Sequence, residues 1–175
     1  DFQLLANCTR APVGNLRIKE SVTDTSDFQL IGFPMSEVLE QATEFLDYAR
    51  SYGAAVGGAT GAGGDAPKYQ LTLASDGLYY PDGSLPDEQA REHFLVKFPR
   101  RSSRQGNSLE SDRLILETEH AYYQVAGRLG FDVISSDLYV ESGRLQSKTA
   151  SLWMPRFDRV VGHDGMERCA VESLY

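Results

Sequence analysis

The sequence has 175 residues, 24% of them charged and 41% apolar, with a formal net charge of −8. This is the balance of a globular chain able to bury a core without staples, and its acidity argues against a nucleic-acid surface, which is usually basic. The apolar runs are too short to span a membrane, no secretory signal opens the chain, and Cys8 and Cys169 lie too far apart for a disulfide framework or zinc motif.

The expected setting is therefore a reducing cytoplasm. In chain order, residues 1 to 32 read as short strands: Gln3 to Leu5, a turn at Val13-Gly14-Asn15 leading to Leu16 and Ile18, and Phe28 to Ile31. A helix is expected from Ser36, a good N-cap, with Val38, Leu39, Ala42, Phe45, Leu46 and Ala49 at helical spacing and an end at Ser51-Tyr52-Gly53. Residues 53 to 68, GAAVGGATGAGGDAPK, form a glycine-rich loop. Tyr69 to Leu73 and Leu78 to Tyr80 read as a hairpin around Ser75-Asp76-Gly77. Pro81 to Arg91 is a polar connector, His93 to Phe98 a strand stopped by Pro99, and residues 100 to 107 a polar loop. A second long helix runs from Ser108 or Ser111 to about Leu129, with Ile115, Tyr122, Val125, Ala126 and Leu129 near one face. Val133 to Val140 and Leu145 to Lys148 read as a hairpin, and Ser151 to Phe157 as a last strand before a charged segment. The pattern is α+β with mostly antiparallel pairing.

Four features bear on chemistry, and each has a plain alternative. A glycine-rich loop beside a strand lets backbone N–H groups close around phosphates, yet it also suits a simple flexible loop; Walker A and Rossmann spacings are absent. Lys97 stands in the apolar strand Phe94-Leu95-Val96-Lys97-Phe98, where it either faces solvent or has a partner. Glu119, beside Ile115, Tyr122 and Ala126, is either a carboxylate on the inward side that wants a cation or a surface glutamate. In protein kinases a strand lysine holds the nucleotide phosphates and a helix glutamate orients it. Leu152 to Arg159, interrupted by Pro155, reads as an edge strand or, in a kinase-like arrangement, as the lead into an adenine-reading hinge.

Taken together, Phe94-Leu95-Val96-Lys97-Phe98-Pro99, Thr118-Glu119 with the helix end Ala126-Gly127-Arg128-Leu129-Gly130, and Arg156-Phe157-Asp158-Arg159 resemble the HipA family, the serine/threonine kinase toxins of bacterial toxin–antitoxin pairs. Gly61 to Lys68 is similar to that family's phosphate loop, Ala11 to Leu16 to its N-terminal subdomain, and Val171 to Leu174 to the start of its C-lobe. The resemblance implies part of an N-terminal subdomain over residues 1–52, a protein-kinase-like N-lobe with an antiparallel sheet and a C-type helix over 53–159, and the start of a C-lobe over 160–175. It implies ATP as ligand, with Gly63, Gly64, Asp65, Ala66, Pro67 and Lys68 along the triphosphate, Lys97 on its oxygens, Glu119 orienting Lys97, and Pro155, Arg156 and Phe157 as the hinge. Proline replaces the family's usual glutamate at Pro155; its carbonyl remains available to the adenine amino group, and Phe157 supplies an N–H. The implied partners are a HipB-like DNA-binding antitoxin and a protein substrate that receives the γ-phosphate.

The magnesium ligands and catalytic loop of such a kinase are not found here. No asparagine follows the hinge, there is no Asp-Phe-Gly, and His163-Asp164 between Gly162 and Gly165 reads as a turn. The sequence opens at Asp1 without methionine and stops at Leu174-Tyr175, so it is expected to be cut from a larger kinase and to be inactive alone. Thr60 is the nearest hydroxyl where family members carry an autophosphorylated loop serine. The alternative function is a non-catalytic pseudokinase or a nucleotide- or partner-binding module.

Overall fold

The computed structural model describes residues 11–16, 29–41, 43–51, 67–99, 108–140, 150–162 and 165–172. Expectations for Gln3 to Leu5, Ile18, the glycine-rich residues 53–66, the loop 100–107, residues 141–149 and His163-Asp164 lie outside these. The described elements are α1 (Met35–Glu40), α2 (Thr43–Ser51), β1 (Lys68–Ala74), β2 (Tyr79–Pro81), a 3-10 turn (Asp87–Gln89), β3 (Ala90–Lys97), α3 (Ser108–Arg128), β4 (Asp137–Val140), β5 (Ala150–Pro155), β6 (Arg159–Gly162) and β7 (Gly165–Arg168). β1 to β5 form one antiparallel sheet in the order β2-β1-β3-β5-β4, and β6-β7 is a separate hairpin. The α+β expectation holds.

Side chains directly opposite in register share a face of a pleated sheet, and faces alternate along each strand. Leu71 faces Phe94 and Tyr69 faces Val96, which in turn faces Trp153. These residues form one core with Val38 of α1 and Phe45, Leu46 and Ala49 of α2. Trp153 packs edge-on against Tyr79, Phe94 and Tyr139, with centroids 5.1 to 5.7 Å apart. On the other face, Leu152 and Met154 pack with Leu116 of α3, together with Leu95, Tyr123 and Leu138. The same face carries Lys68, Gln70 and Thr72 opposite Lys97, Leu95 and His93.

Several expectations are corrected. The first helix is two helices: it begins after Pro34, with no side-chain cap, and breaks where Gln41 turns left-handed with φ 51° and its N–H returns to Val38. Gln29 to Ile31 is not a strand; only Phe33 bridges Tyr79. Gly32 explains the close approach there, because a Cβ would fall on the Tyr80 ring and 2.6 Å from its hydroxyl. β3 starts at Ala90, inside the expected connector. β4 is only Asp137–Val140, shorter than the expected Val133 to Val140, and pairs with β5, Val140 facing Ala150; the expected partner Leu145 to Lys148 lies outside the described residues. β5 is an interior strand, not an edge. It tolerates Pro155 because the β4 pairing ends at Trp153, two residues earlier.

The largest correction concerns α3. Ile115, Tyr122, Val125 and Leu129 are exposed, and Leu116 is the buried residue. The helix carries two apolar stripes, and the sheet takes the stripe through Leu116 and Tyr123. Among the described residues no helix is long and apolar enough to cross a membrane.

A strand lysine, a helix glutamate and a buried charge cluster

Lys97 ends β3 on the α3 side of the sheet, and Glu119 projects from the middle of α3. The Lys97 ammonium donates to Glu119 Oε1 in a direct ion pair, with the two side chains 18% and 28% exposed. Glu119 sits where it does because Leu116 and Tyr123, one turn to either side, anchor that stripe on the sheet. Its charge is felt locally: burial, and then Glu119, push the Tyr123 phenol up. Lys68 is directly opposite Lys97 in the β1–β3 register, so two cationic side chains enter one end of the same face. Like charges so placed repel. Glu119 pairs with Lys97, and an anion at this end would be favoured by both cations. Phe98 N–H donates to Pro67 C=O at 2.9 Å, which carries the ladder one step further and fixes where the glycine-rich segment joins β1. Gly63, Gly64, Asp65 and Ala66 lie outside the described residues.

The strand end at Pro155 has a second geometry. Arg156 N–H donates to His93 C=O at 2.8 Å, which makes Phe94 and Pro155 a pair that exchanges no hydrogen bonds. By the alternation of an antiparallel ladder, the Pro155 carbonyl turns away from β3, on the side where β4 has already ended; the β3–β5 pairing stops at Pro155, and Phe157 lies in the turn that Arg159 N–H closes onto Arg156 C=O at 3.3 Å. A backbone acceptor and an exposed turn residue two positions on leave room at this strand end for the edge of a purine. These two residues are exposed, whereas Arg156 between them is buried.

The Arg156 side chain enters a cluster that sequence reasoning did not anticipate. It is bidentate to Asp158, with Nε at 3.0 Å from Oδ1 and Nη2 at 2.6 Å from Oδ2, and Nη1 donates to Asp82. Asp82 also accepts from Thr72 at 3.0 Å and lies 3.0 Å from His93 Nδ1. Arg159 Nη1 reaches Asp158 Oδ2 at 2.8 Å. All these charged groups are buried. Burial alone raises the Asp82 carboxyl, but the His93 hydrogen bond and the Arg156 guanidinium outweigh it and hold the group well below the usual carboxylate range. Asp158 is likewise lowered: burial opposes the shift, and the Arg156 bond and charge overcome it. Burial, with Arg156 alongside, pulls Arg159 down to about 10, still protonated at neutral pH.

The two depressed carboxylates set an acid limit. Each contributes stability that is complete above the unfolded-state value of 3.8 and lost as pH falls from there through the lower folded value. Thermal melts should be level from about pH 7 to about pH 5 and fall steeply below about pH 4. A melting temperature unchanged at about pH 2.5 would contradict the cluster's charge state.

Among the described residues no group of three metal-capable side chains occurs, so no magnesium site is assigned to them. The residues present do fit a nucleoside triphosphate: two cations at one end of a sheet face, and an exposed backbone acceptor at the strand end.

The fold and the ion pair define an α+β lobe in which a strand lysine is oriented by a helix glutamate, the arrangement found in kinase nucleotide lobes. The family model described as the HipA-like C-terminal domain matches residues 60–175, and the chain belongs to that family. HipA proteins are in general serine/threonine kinases, with a toxin context. A search of curated proteins returned no match.

Proposed function

We propose that this chain supplies the ATP-binding part of a HipA-like protein serine/threonine kinase, a toxin that transfers the γ-phosphate to a protein hydroxyl. The observation that carries this reading is the Lys97–Glu119 ion pair, with Lys68 opposite Lys97 on the same face of the sheet. Gly63, Gly64, Asp65, Ala66, Pro67 and Lys68 run along the triphosphate, and Lys97 binds its oxygens while Glu119 fixes the direction of the ammonium. The Pro155 carbonyl and the Phe157 N–H take the adenine edge. Magnesium neutralises phosphate charge when bound; its ligands come from outside the described residues. The same reading supplies a DNA-binding antitoxin as partner, compatible with a net charge of −8 on this chain, and a cytoplasmic setting.

Calorimetric titration of the protein with ATP and magnesium tests the reading. Saturable binding is expected with Kd between about 1 μM and about 1 mM, the range usual for enzyme substrates. No saturable heat up to about 5 mM ATP would sink it.

A further inference from the structure

The hinge is held from a distant part of the chain. Residues 11–16 lie against the Arg156–Asp158–Arg159 cluster, and five hydrogen bonds join them. Arg156 Nη1 donates to Ala11 C=O at 3.2 Å, and Nη2 to Pro12 C=O at 2.8 Å. Arg159 donates to Pro12 C=O at 2.8 Å and Gly14 C=O at 3.0 Å. Gly14 N–H donates to Asp158 Oδ2 at 2.7 Å. We infer that residues 11–16 are a positioning element for the nucleotide hinge, acting through Arg156, so that displacing this segment weakens recognition of the adenine while leaving the phosphate grip in place. The inference rests on the ATP reading above.

Three observations carry it. First, Arg156 is the central residue of the proposed hinge tripeptide, between the exposed Pro155 and Phe157. Its own N–H is committed to His93 C=O and its guanidinium to Asp82, Asp158 and two carbonyls of the segment. Fixing both ends of Arg156 fixes the peptide planes on either side of it. Second, two guanidinium groups face two carboxylates, and the segment's carbonyls supply further acceptors for their N–H groups. Removing them would leave buried donors unmet, which the cluster would avoid by shifting. Third, Gly14 has φ +89°, a conformation that lets its N–H reach Asp158 and its C=O reach Arg159. The segment is shaped to this cluster, not merely laid over it.

The effect should be confined to one end of the ligand. Lys97 is opposite Leu152, three residues up β5 from Pro155, which is about 10 Å along an extended strand. Coupling of this kind is reciprocal: if the segment favours ATP, ATP favours the ordered segment.

Two variants and one wild-type measurement test this. Gly14→Ala keeps every charge, and its Cβ would meet Val171 at an ordinary 3.6 to 3.7 Å, so only the backbone is strained. Asp158→Asn removes the carboxylate the segment binds. Both should lower ATP affinity by about 5-fold or more, with inorganic tripolyphosphate affinity held within about 2-fold. In wild type, ATP but not tripolyphosphate should slow hydrogen exchange at the Gly14 amide by about 5-fold or more. Wild-type ATP binding with unchanged Gly14→Ala affinity and unchanged Gly14 exchange overturns the inference and leaves the ATP reading standing. Failure of wild type to bind ATP overturns both. If Asp158→Asn does not fold, Gly14→Ala and the exchange measurement decide.

Discussion

Replacing Lys97 with methionine is expected to cut ATP-dependent phosphoryl transfer by the full-length protein by about 10²- to 10³-fold, the usual cost of removing one fixed donor aimed at developing charge. Methionine keeps most of the side chain's length and apolar contact, so the loss reports the ammonium. Glu119→Gln is expected to cost less, about 10-fold, because glutamine can still accept from Lys97 but no longer does so as a charge. Stability separates this role from a structural one. The pair is 18% and 28% exposed, and partly exposed ion pairs contribute only about 0 to 1 kcal/mol. Both variants should therefore unfold in urea within about 1 kcal/mol of wild type while losing activity. A Lys97→Met protein with full activity removes Lys97 from the phosphate role. Activity lost in proportion to stability would make the pair a strut rather than a grip.

That pair was legible in the sequence for a local reason. A lysine inside Phe94-Leu95-Val96-Lys97-Phe98 breaks the apolar pattern, and a break of that kind needs solvent or a partner. The β1–β2 hairpin was legible in the same way, from alternation on both sides of Ser75-Asp76-Gly77, and Gly77 does take φ +83°. The face of α3 was misread because local periodicity sees two apolar stripes and cannot say which one the sheet covers. The longer stripe, through Ile115, Tyr122 and Leu129, is the exposed one. Asp82 was invisible: it stands among Asp, Pro and Glu in what reads as a solvated connector, yet it is 3% exposed. Its partner Arg156 is 74 positions away, and Gly14 is 144 positions from Asp158. No window along the chain contains such pairs. The available signal was the run Arg156-Phe157-Asp158-Arg159 after a buried strand, where two cations and one carboxylate leave a positive excess that a second acid must offset. Asp82 is that acid.

Asp82→Asn is accordingly expected to destabilise the fold by about 3 to 5 kcal/mol, the cost of breaking a buried ion pair from one side. The side chains of Arg156 and Asp82 are 2% and 1% exposed, so water cannot replace the lost carboxylate. Asparagine keeps the volume and one acceptor for Thr72 or His93, which confines the change to charge. The pair should also fail additivity. Arg156→Met alone strands Asp82, and Asp82→Asn alone strands Arg156, but the double variant strands neither member of that pair. In urea unfolding the double variant should be more stable than the sum of the singles predicts by more than about 1 kcal/mol. Additive losses would mean that Asp82 and Arg156 act independently, and an Asp82→Asn loss under about 1 kcal/mol would remove the cluster as a determinant of stability. The contrast with Lys97 then follows from burial. Two ion pairs rest on the same strand, β3, one directly and one through His93. The partly exposed pair has room to exchange its partner for a ligand and should register in activity. The buried one has no such room, and its loss should register in folding.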